Sequence, residues 1–396
     1  MAKYIGKKYI IQSLFCFVFL LILCTCNDPV FYAISQEVKP IKPRIKGTPT
    51  NIVEYKSYMY VASGYTLYKY NSNTQPYWSN MGSPSGRRIL RLASANNNLY
   101  ALCATDENIT GQTVIYHYND SEPANPKWVI LSDSYKYTQI QSIYTAGTGT
   151  GSRLFLYTKL DKTTNNYKIL YIDAGTPSII NELATPQTGD AELCGAASIG
   201  STYYLATKNK GVYKVTGNTG TPIADTPVDI TGIINLSANT ILLITRESGR
   251  VYTFDTTENI QYTNIQMGRY SNGTLAIWEK SSSERLLLAG RQEIRYSTSS
   301  GHTYGYMELE LDANGIKTGA NFIEPGIGPV STIYPGGNER FLSTIGKQPV
   351  NFIFQTTTSD SNRIIFASTQ KNGVWSYRER GSLPQWNAEG EDEPKY

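Results

Sequence analysis

Histidine is nearly missing from this chain of 396 residues: it has only His117 and His302. Two imidazoles far apart in sequence assemble neither a histidine zinc site nor a Ser-His-Asp relay. His117 lies in the apolar run Val114 to Tyr118 and reads as a half-buried strand residue; His302 lies in a tight turn. Cysteine is scarce as well, and three of the five fall within the first 26 positions. Cys103 and Cys194 remain, each in its own apolar run, and read as buried free thiols, not as a disulfide or redox motif. An excess of one charge is also lacking, with Lys+Arg 36 against Asp+Glu 32. A general polyanion partner such as nucleic acid is therefore not expected. There is no phosphate-cradling glycine loop and no apolar stripe of 3.6-residue period sustained over three turns. Beyond the N-terminus no run of 18 apolar residues occurs, so no second membrane span is expected. Asp312-Ala313-Asn314-Gly315 lacks the later acidic ligand of a calcium loop and reads as a hairpin turn. No catalytic residue, metal site or cofactor is expected.

What is abundant is tyrosine, 31 residues against 11 phenylalanines. Tyrosine suits pleated, half-buried strand positions and also supplies amphipathic contact area at binding surfaces. With 40% hydrophobic and 17% charged residues, global disorder is excluded.

Residues 1–25 stand apart from the rest. Lys3, Lys7 and Lys8 precede an apolar region from Ile10 to Leu23, too short for a membrane span and of signal-peptide length. It ends in Leu21-Ile22-Leu23-Cys24-Thr25-Cys26, which resembles a bacterial lipoprotein signal, whose cleavage-site thiol takes a diacylglyceryl group. That chemistry asks for a small residue before the cysteine, so Cys26 is the expected lipidation site, with Cys24 the alternative. Acyl chains contribute roughly 0.8 kcal/mol per buried methylene, enough with two or three chains to hold a protein on a membrane. Removing residues 1–25, which carry three lysines and no acid, lowers the formal charge from +4 to about +1. Residues 26–47 read as the lipidated start and a tether, with Lys39, Lys42, Arg44 and Lys46 spaced by prolines.

From residue 48 a two-strand unit recurs. Its last copy is Ile364-Ile365-Phe366-Ala367-Ser368, then Gln370 to Gly373, then Val374-Trp375-Ser376-Tyr377 and Pro384-Gln385-Trp386. The first copy runs from Met59 through Gly64 to Tyr70 and closes on Pro76-Tyr77-Trp78; another runs from Tyr203 to Val215. Third-strand anchors fall at Tyr70, Tyr118, Ile172, Val215, Phe254, Tyr296 and Tyr377. Most intervals are about 40 to 54 residues, the period of a four-stranded propeller blade. The last interval is nearly double and holds either one blade with an inserted hairpin or parts of two. The expected fold is all-β, a β-propeller over residues 48–388, of seven four-stranded blades with eight as the alternative, followed by an acidic tail, 389–396, read as solvated. The Pro-x-Trp tryptophans Trp78, Trp128 and Trp386 read as packing devices against a neighbouring blade.

Ser297 to Tyr304 resembles the Asp-box of sialidase-like propellers, with Ser299 in place of the aspartate and Tyr304 in place of the tryptophan. In that family the box is a structural turn, so the resemblance implies the fold and not the activity. A sialidase also needs an arginine cluster and a Tyr/Glu nucleophile pair; Arg88, Arg153, Arg246 and Arg291 are present, but the sequence does not bring them together.

The lipidation signal, the start Asn27-Asp28-Pro29-Val30-Phe31, the tether Glu37-Val38-Lys39 and strings such as Leu67-Tyr68-Lys69-Tyr70 together resemble β-propeller lipoproteins of spirochaetes, with sialidase-like (BNR-type) or related propeller repeats. The resemblance implies an address in the bacterial cell envelope, lipid-anchored at the outer membrane on its surface or periplasmic face, and carries over no catalytic residue. The expected function is a non-enzymatic module binding a protein or glycan through the loops at one end of the ring. Tyr77, Arg87, Arg88, Tyr135 and Tyr137 are the expected contact residues. The alternatives are a periplasm-facing scaffold for envelope assembly and, less favoured, a sialidase-like glycosidase.

Overall fold

The structure, a computed structural model, describes residues 45–71, 77–104, 112–119, 127–131, 139–159, 167–173, 176–184, 192–279, 284–291, 305–313, 315–323, 350–355, 364–370, 373–380 and 383–389. Cys24, Cys26, Tyr135, Tyr137, His302 and the Ser297 to Tyr304 turn lie outside them. No helix among the described residues is long and apolar enough to cross a membrane.

The strands form seven four-stranded sheets, arranged as a seven-bladed propeller ring. Blade 1 holds β1 (Val53–Tyr55), β2 (Tyr58–Ser63), β3 (Thr66–Tyr70) and β4 (Trp78–Asn80). Blade 2 holds β5 (Ile89–Ala95), β6 (Asn98–Ala104), β7 (Thr113–Tyr118) and β8 (Trp128–Ile130). Blade 3 holds β9 (Ile140–Ala146), β10 (Arg153–Lys159), β11 (Tyr167–Ile172) and β12 (Asn181–Glu182). Blade 4 holds β13 (Leu193–Ile199), β14 (Thr202–Thr207), β15 (Gly211–Thr216) and β16 (Thr219–Pro222). Blade 5 holds β17 (Ile230–Asn235), β18 (Ile241–Thr245), β19 (Arg250–Phe254) and β20 (Gln261–Gln266). Blade 6 holds β21 (Ser271–Glu279), β22 (Arg285–Arg291), β23 (Tyr306–Asp312) and β24 (Gly315–Ile316). Blade 7 holds β25 (Val350–Gln355), β26 (Ile365–Thr369), β27 (Val374–Arg380) and β28 (Leu383–Ala388). Each sheet is an antiparallel meander in chain order.

The second strand of a blade explains why this sequence shows unbroken apolar runs where a half-exposed strand would alternate. Side chains of a strand point alternately to the two sheet faces, and here both faces are covered by neighbouring blades. In β6, Leu99, Ala101 and Cys103 pack toward blade 1, while Tyr100 and Leu102 pack toward blade 3. In β10, Leu154 and Leu156 face blade 2, and Phe155 and Tyr157 face blade 4. The core is thus a set of slabs between blades, continued by Val212 and Ile241 between blades 4 and 5, Leu242 and Leu287 between 5 and 6, and Leu288 and Ile365 between 6 and 7. Full burial of one such side chain contributes about 2 kcal/mol, so each slab stabilises the blade pair that forms it. Hairpins between first and second strands use paired left-handed residues, Lys56 with Ser57 and Asn96 with Asn97, as the twist of a two-residue hairpin requires.

Blade 1 and blade 7 complete the ring without exchanging a strand. Ile45, Met59 and Trp78 pack with Phe366 and Val374. The Trp78 and Phe366 rings meet edge to face at 5.4 Å. Trp78 Nε1 donates to Glu389 Oε2 at 3.0 Å, and Ser376 Oγ donates to Glu389 Oε1. Two sequence expectations are corrected here. Glu389, read as the start of a solvated tail, is buried because it accepts those two bonds. Ile45, read as tether, is fully buried because it caps the slab between the two blades.

Blade 6 brings a third correction. Its third strand is β23, paired with β22 from Arg285↔Leu311 to Gly290↔Tyr306, so the anchor is Leu311 and not Tyr296. The long interval is thereby divided between blades 6 and 7, and the count is seven. The tryptophans behave as expected. Trp78 packs toward blade 7, Trp386 packs toward blade 6 and donates to Tyr306 Oη at 3.2 Å, and Trp128 packs on the slab shared with blade 1. Asp312 and Gly315 form the expected hairpin turn, Gly315 N donating to Asp312 Oδ1 at 3.0 Å.

Candidate functional site at the crossover end of the ring

Strand direction fixes which loops share an end. Each first strand starts where the chain has crossed from the outer strand of the preceding blade, and the connections between second and third strands return to that same end. We call it the crossover end. Connections between first and second strands, and between third and fourth, lie at the opposite end.

Six of the seven first strands are irregular at the crossover end. The pairing of first with second strand slips at Leu90, Gln141, Cys194, Thr231 and Asn351, and over Asn272 to Thr274 in blade 6. A bulge of this kind turns a side chain out of the pleat and ends regular pairing. Regular pairing of the axial strands thus stops short of this end, whose axial opening we call the mouth. Along the axis the strands approach so closely that glycine is required: a Cβ on Gly273, whose φ is +84°, would lie 2.1 Å from Thr231 O, and one on Gly232 would lie 2.6 Å from Gly273 O. Backbone groups that no ladder satisfies are bridged by side chains. Asn51 Nδ2 donates to Leu92 O at 2.7 Å and Leu92 N donates back to Asn51 Oδ1 at 2.9 Å; Asn235 does the same for Ser198.

The seam of blades 1 and 2 carries an apolar and basic patch at the crossover end. Met81 to Arg88 crosses between the blades and is pinned by Leu67 N to Gly82 O at 2.9 Å, Met81 N to Leu67 O at 2.8 Å and Ile89 N to Gly64 O at 2.9 Å. Those bonds set the Gly64-Tyr65 turn beside the start of β5. Tyr65 (42% exposed), Met81 (36%) and Leu90 (40%) are large apolar side chains left open to water there. Arg88 is exposed and Arg87 half-buried between them. Clusters of exposed apolar groups rimmed by charge mark interaction surfaces more often than isolated ones do.

Arg91, one residue beyond the bulge, reaches the axis. Its guanidinium carbon is 4.2 Å from the ring centre of Tyr144 in blade 3 and 5.3 Å from that of Phe352 in blade 7. Side chains from blades 2, 3 and 7 meet only across the central opening. Arg91 Nε is buried without a hydrogen-bond partner, and no carboxylate pairs with Arg91 among the described residues. Burial pushes the Tyr144 phenol up, with the Arg91 charge acting against it. Glu192, whose field also reaches Tyr144, is paired with Lys208 at 3.0 Å.

The expected contact residues do not share one end. Arg87 and Arg88 lie in the crossover patch. Tyr77 lies in the connection between third and fourth strands at the opposite end, its ring 5.9 Å from Tyr70. Sequence reasoning missed Tyr65, Leu90, Arg91, Tyr144 and Phe352; the weak signal for them was an arginine within the otherwise apolar Ile89 to Ala93. Of the four arginines considered for a carboxylate clamp, Arg153 is at the opposite end, bonded to Asp173 Oδ1 at 2.7 Å and to Gly217 O at 2.5 Å. Tyr/Glu pairs occur, each at 3.3 Å, but not on the axial first strands: Tyr204 of β14 pairs with Glu258 in the connection between β19 and β20, and Tyr306 pairs with Glu308 within β23. His117 contacts Asn98 Oδ1 at 2.7 Å and the Tyr100 ring, a strand role. Cys103 and Cys194 are free thiols. Burial pushes both up to about 12, and Glu192 adds to the effect at Cys194. Among the described residues no group of three or more His, Cys, Asp or Glu could hold a metal ion.

No protein-family model matches this chain. No curated protein sequence matches it either. Solved structures do share the ring. An ancestral GH74 enzyme superposes with a TM-score of 0.58 at 15% identity, over 89% of this chain and 47% of its own, so this chain spans about half that enzyme's length. YCF48 bound to D1 peptide gives 0.51 at 14% identity over 85% of this chain and 95% of its own. Virginiamycin B lyase from Staphylococcus aureus, selenomethionine substituted, gives 0.50 at 11% identity over 83% and 94%. Enzymes and a peptide-bound propeller appear together among these neighbours, so the ring is the shared property and its use is not.

Proposed function

We propose that this chain is a lipid-anchored propeller of the cell envelope that binds a protein segment at its crossover end, over the seam of blades 1 and 2. The observation that carries this reading is the convergence of Tyr65, Met81 and Leu90 with Arg87 and Arg88 on one end of a rigid ring. Protein interfaces are enriched in aromatic residues, Met and Arg, the composition of this patch. Methionine and leucine gain little from a glycan, whereas a protein ligand buries them. The YCF48 structure, a propeller of the same ring holding a peptide, is consistent with such use. The envelope address rests on the lipoprotein-like signal ending at Cys26 and on the resemblance to spirochaetal propeller lipoproteins.

Two experiments test the proposal. A photo-crosslinking amino acid placed at Tyr65 or at Leu90 in the producing cells should trap a protein adduct that the same group at Ile179, at the opposite end, does not. Equal trapping at all three positions, or none at the seam, would overturn the binding reading. Protease treatment of intact and outer-membrane-permeabilised cells addresses location. Digestion on intact cells fits a surface adhesin, protection until permeabilisation fits a periplasmic partner, and a protein recovered without membranes overturns the anchor.

A further inference from the structure

We propose that Arg91 is the anchor of a carboxylate subsite in the axial mouth, taking an acidic group of the protein segment that binds the neighbouring seam. The inference rests on the binding reading above and adds the chemistry of one contact. Three observations carry it. The guanidinium carbon lies 4.2 Å from the Tyr144 ring centre and 5.3 Å from that of Phe352, rings contributed by two other blades. A guanidinium near aromatic rings keeps its N–H donors in one plane, where an acceptor can meet them. Its Nε is buried with no acceptor, and no described carboxylate neutralises it. Leaving a charged donor unpaired in a half-buried site is unfavourable, and an acceptor that arrives with the ligand removes that penalty. Ser142 Oγ, at the matching position after the bulge of β9, is a second buried polar atom at the mouth; it lies beside the Tyr144 hydroxyl without a hydrogen bond of good geometry.

The planar edge and the seam beside it select the ligand. A carboxylate presents two oxygens in a plane and matches the guanidinium edge with two parallel bonds. A phosphate can offer two oxygens to the same edge, so it is the neighbouring apolar seam of Leu90 and Met81 that favours the carboxylate of a protein segment. Leu90, the bulge residue next in chain, is exposed in the seam patch, so a segment lying on Leu90 and Met81 has an acidic side chain or a C-terminus within reach of the mouth.

The test is the 15Nε–1H resonance of Arg91 in the full chain in detergent, assigned by its loss in Arg91→Gln. N-acetylglutamate amide and N-acetylalanine serve as probes for a side-chain and a terminal carboxylate, N-acetylglutamine amide as the neutral control, and glucuronate and inorganic phosphate as competitors from other classes. The expected result is a saturable shift with one or both peptide carboxylates, at roughly millimolar affinity for ligands of this size, and none with the neutral amide. Arg91→Lys, which keeps the charge and loses the planar edge, should weaken the shift-monitored binding about tenfold, followed through Tyr144 ring resonances. Lys214→Gln, at the opposite end, should leave it unchanged. Absence of a carboxylate-dependent shift, or tighter binding of phosphate or glucuronate than of both peptide probes, would overturn the proposal. If crosslinks form at the seam while this titration fails, only the Arg91 assignment falls; if the seam yields no adduct, the binding reading itself falls.

Discussion

Replacing Glu389 by alanine should open the ring where blade 1 meets blade 7. The carboxylate is buried, and its two oxygens accept from Trp78 Nε1 at 3.0 Å and from Ser376 Oγ. Glu389→Ala leaves both donors without their acceptor, each a loss of about 1–3 kcal/mol. Part of this is offset because the variant no longer dehydrates a carboxylate. The backbone bond from Glu389 N to Val374 O at 2.9 Å survives the substitution. The net expectation is a destabilisation of about 2–4 kcal/mol, against about 1 kcal/mol for Glu389→Gln, whose amide still offers an acceptor. Denaturant unfolding measures the total. Hydrogen exchange locates it, since the repeat-to-repeat organisation predicts faster exchange in β1–β4 and in β27–β28 before the rest of the ring. A double-mutant cycle with Trp78→Phe should give a coupling of about 1–2 kcal/mol. A Glu389→Ala protein within about 0.5 kcal/mol of the parent, or costs of the two variants that simply add, would refute this account of closure.

Close approach of the axial strands makes a second prediction. Gly273→Ala places a Cβ 2.1 Å from Thr231 O at φ +84° and should give insoluble or strongly destabilised protein, whereas Gly217→Ala, at φ +61° with nothing within 4 Å, should cost only about 1 kcal/mol in denaturant unfolding. Alkaline pH gives a third. The unfolded chain releases thiol protons near 9.0, but folded Cys103 and Cys194 hold theirs to about 12 and Tyr204 to about 12. These folded values are raised, so their contribution is intact below 9.0 and is lost as the pH climbs toward 12. Unfolding followed by circular dichroism should show that decline, and a thiol reagent at neutral pH should label Cys103 only after denaturation; ready labelling of the native protein would contradict the burial.

Much of the fold was legible because strand pairing writes itself into sequence with a period of two. Turn residues at Gly64 and Asn96-Asn97, and apolar runs such as Leu99 to Cys103, are local signals. β20 escaped notice because Gln261–Gln266 is an outer strand with mostly exposed polar side chains, so burial leaves no apolar mark on it. The mistaken third strand of blade 6 has a related cause: in chain order the stretch around Tyr296 takes the third place and leaves Tyr304 to Leu311 the fourth, and only pairing with β22 makes Tyr306–Asp312 the third strand.

Local pattern by itself therefore determined the architecture: a meander of short strands at blade period, tryptophans that pack on the neighbouring blade, and two thiols with no partner. Tertiary structure decided the rest. It decided that Glu389 is a latch and not a solvated end, since its partners Trp78 and Ser376 lie in different blades. It separated Tyr77 from Arg87 and Arg88, because alternate turns of a meander lie at opposite ends. It brought Arg91 to Tyr144 and Phe352, residues of three blades, because closing the ring places distant first strands around one axis. A contact made by closure has no fixed spacing in the chain, and so no sequence pattern records it.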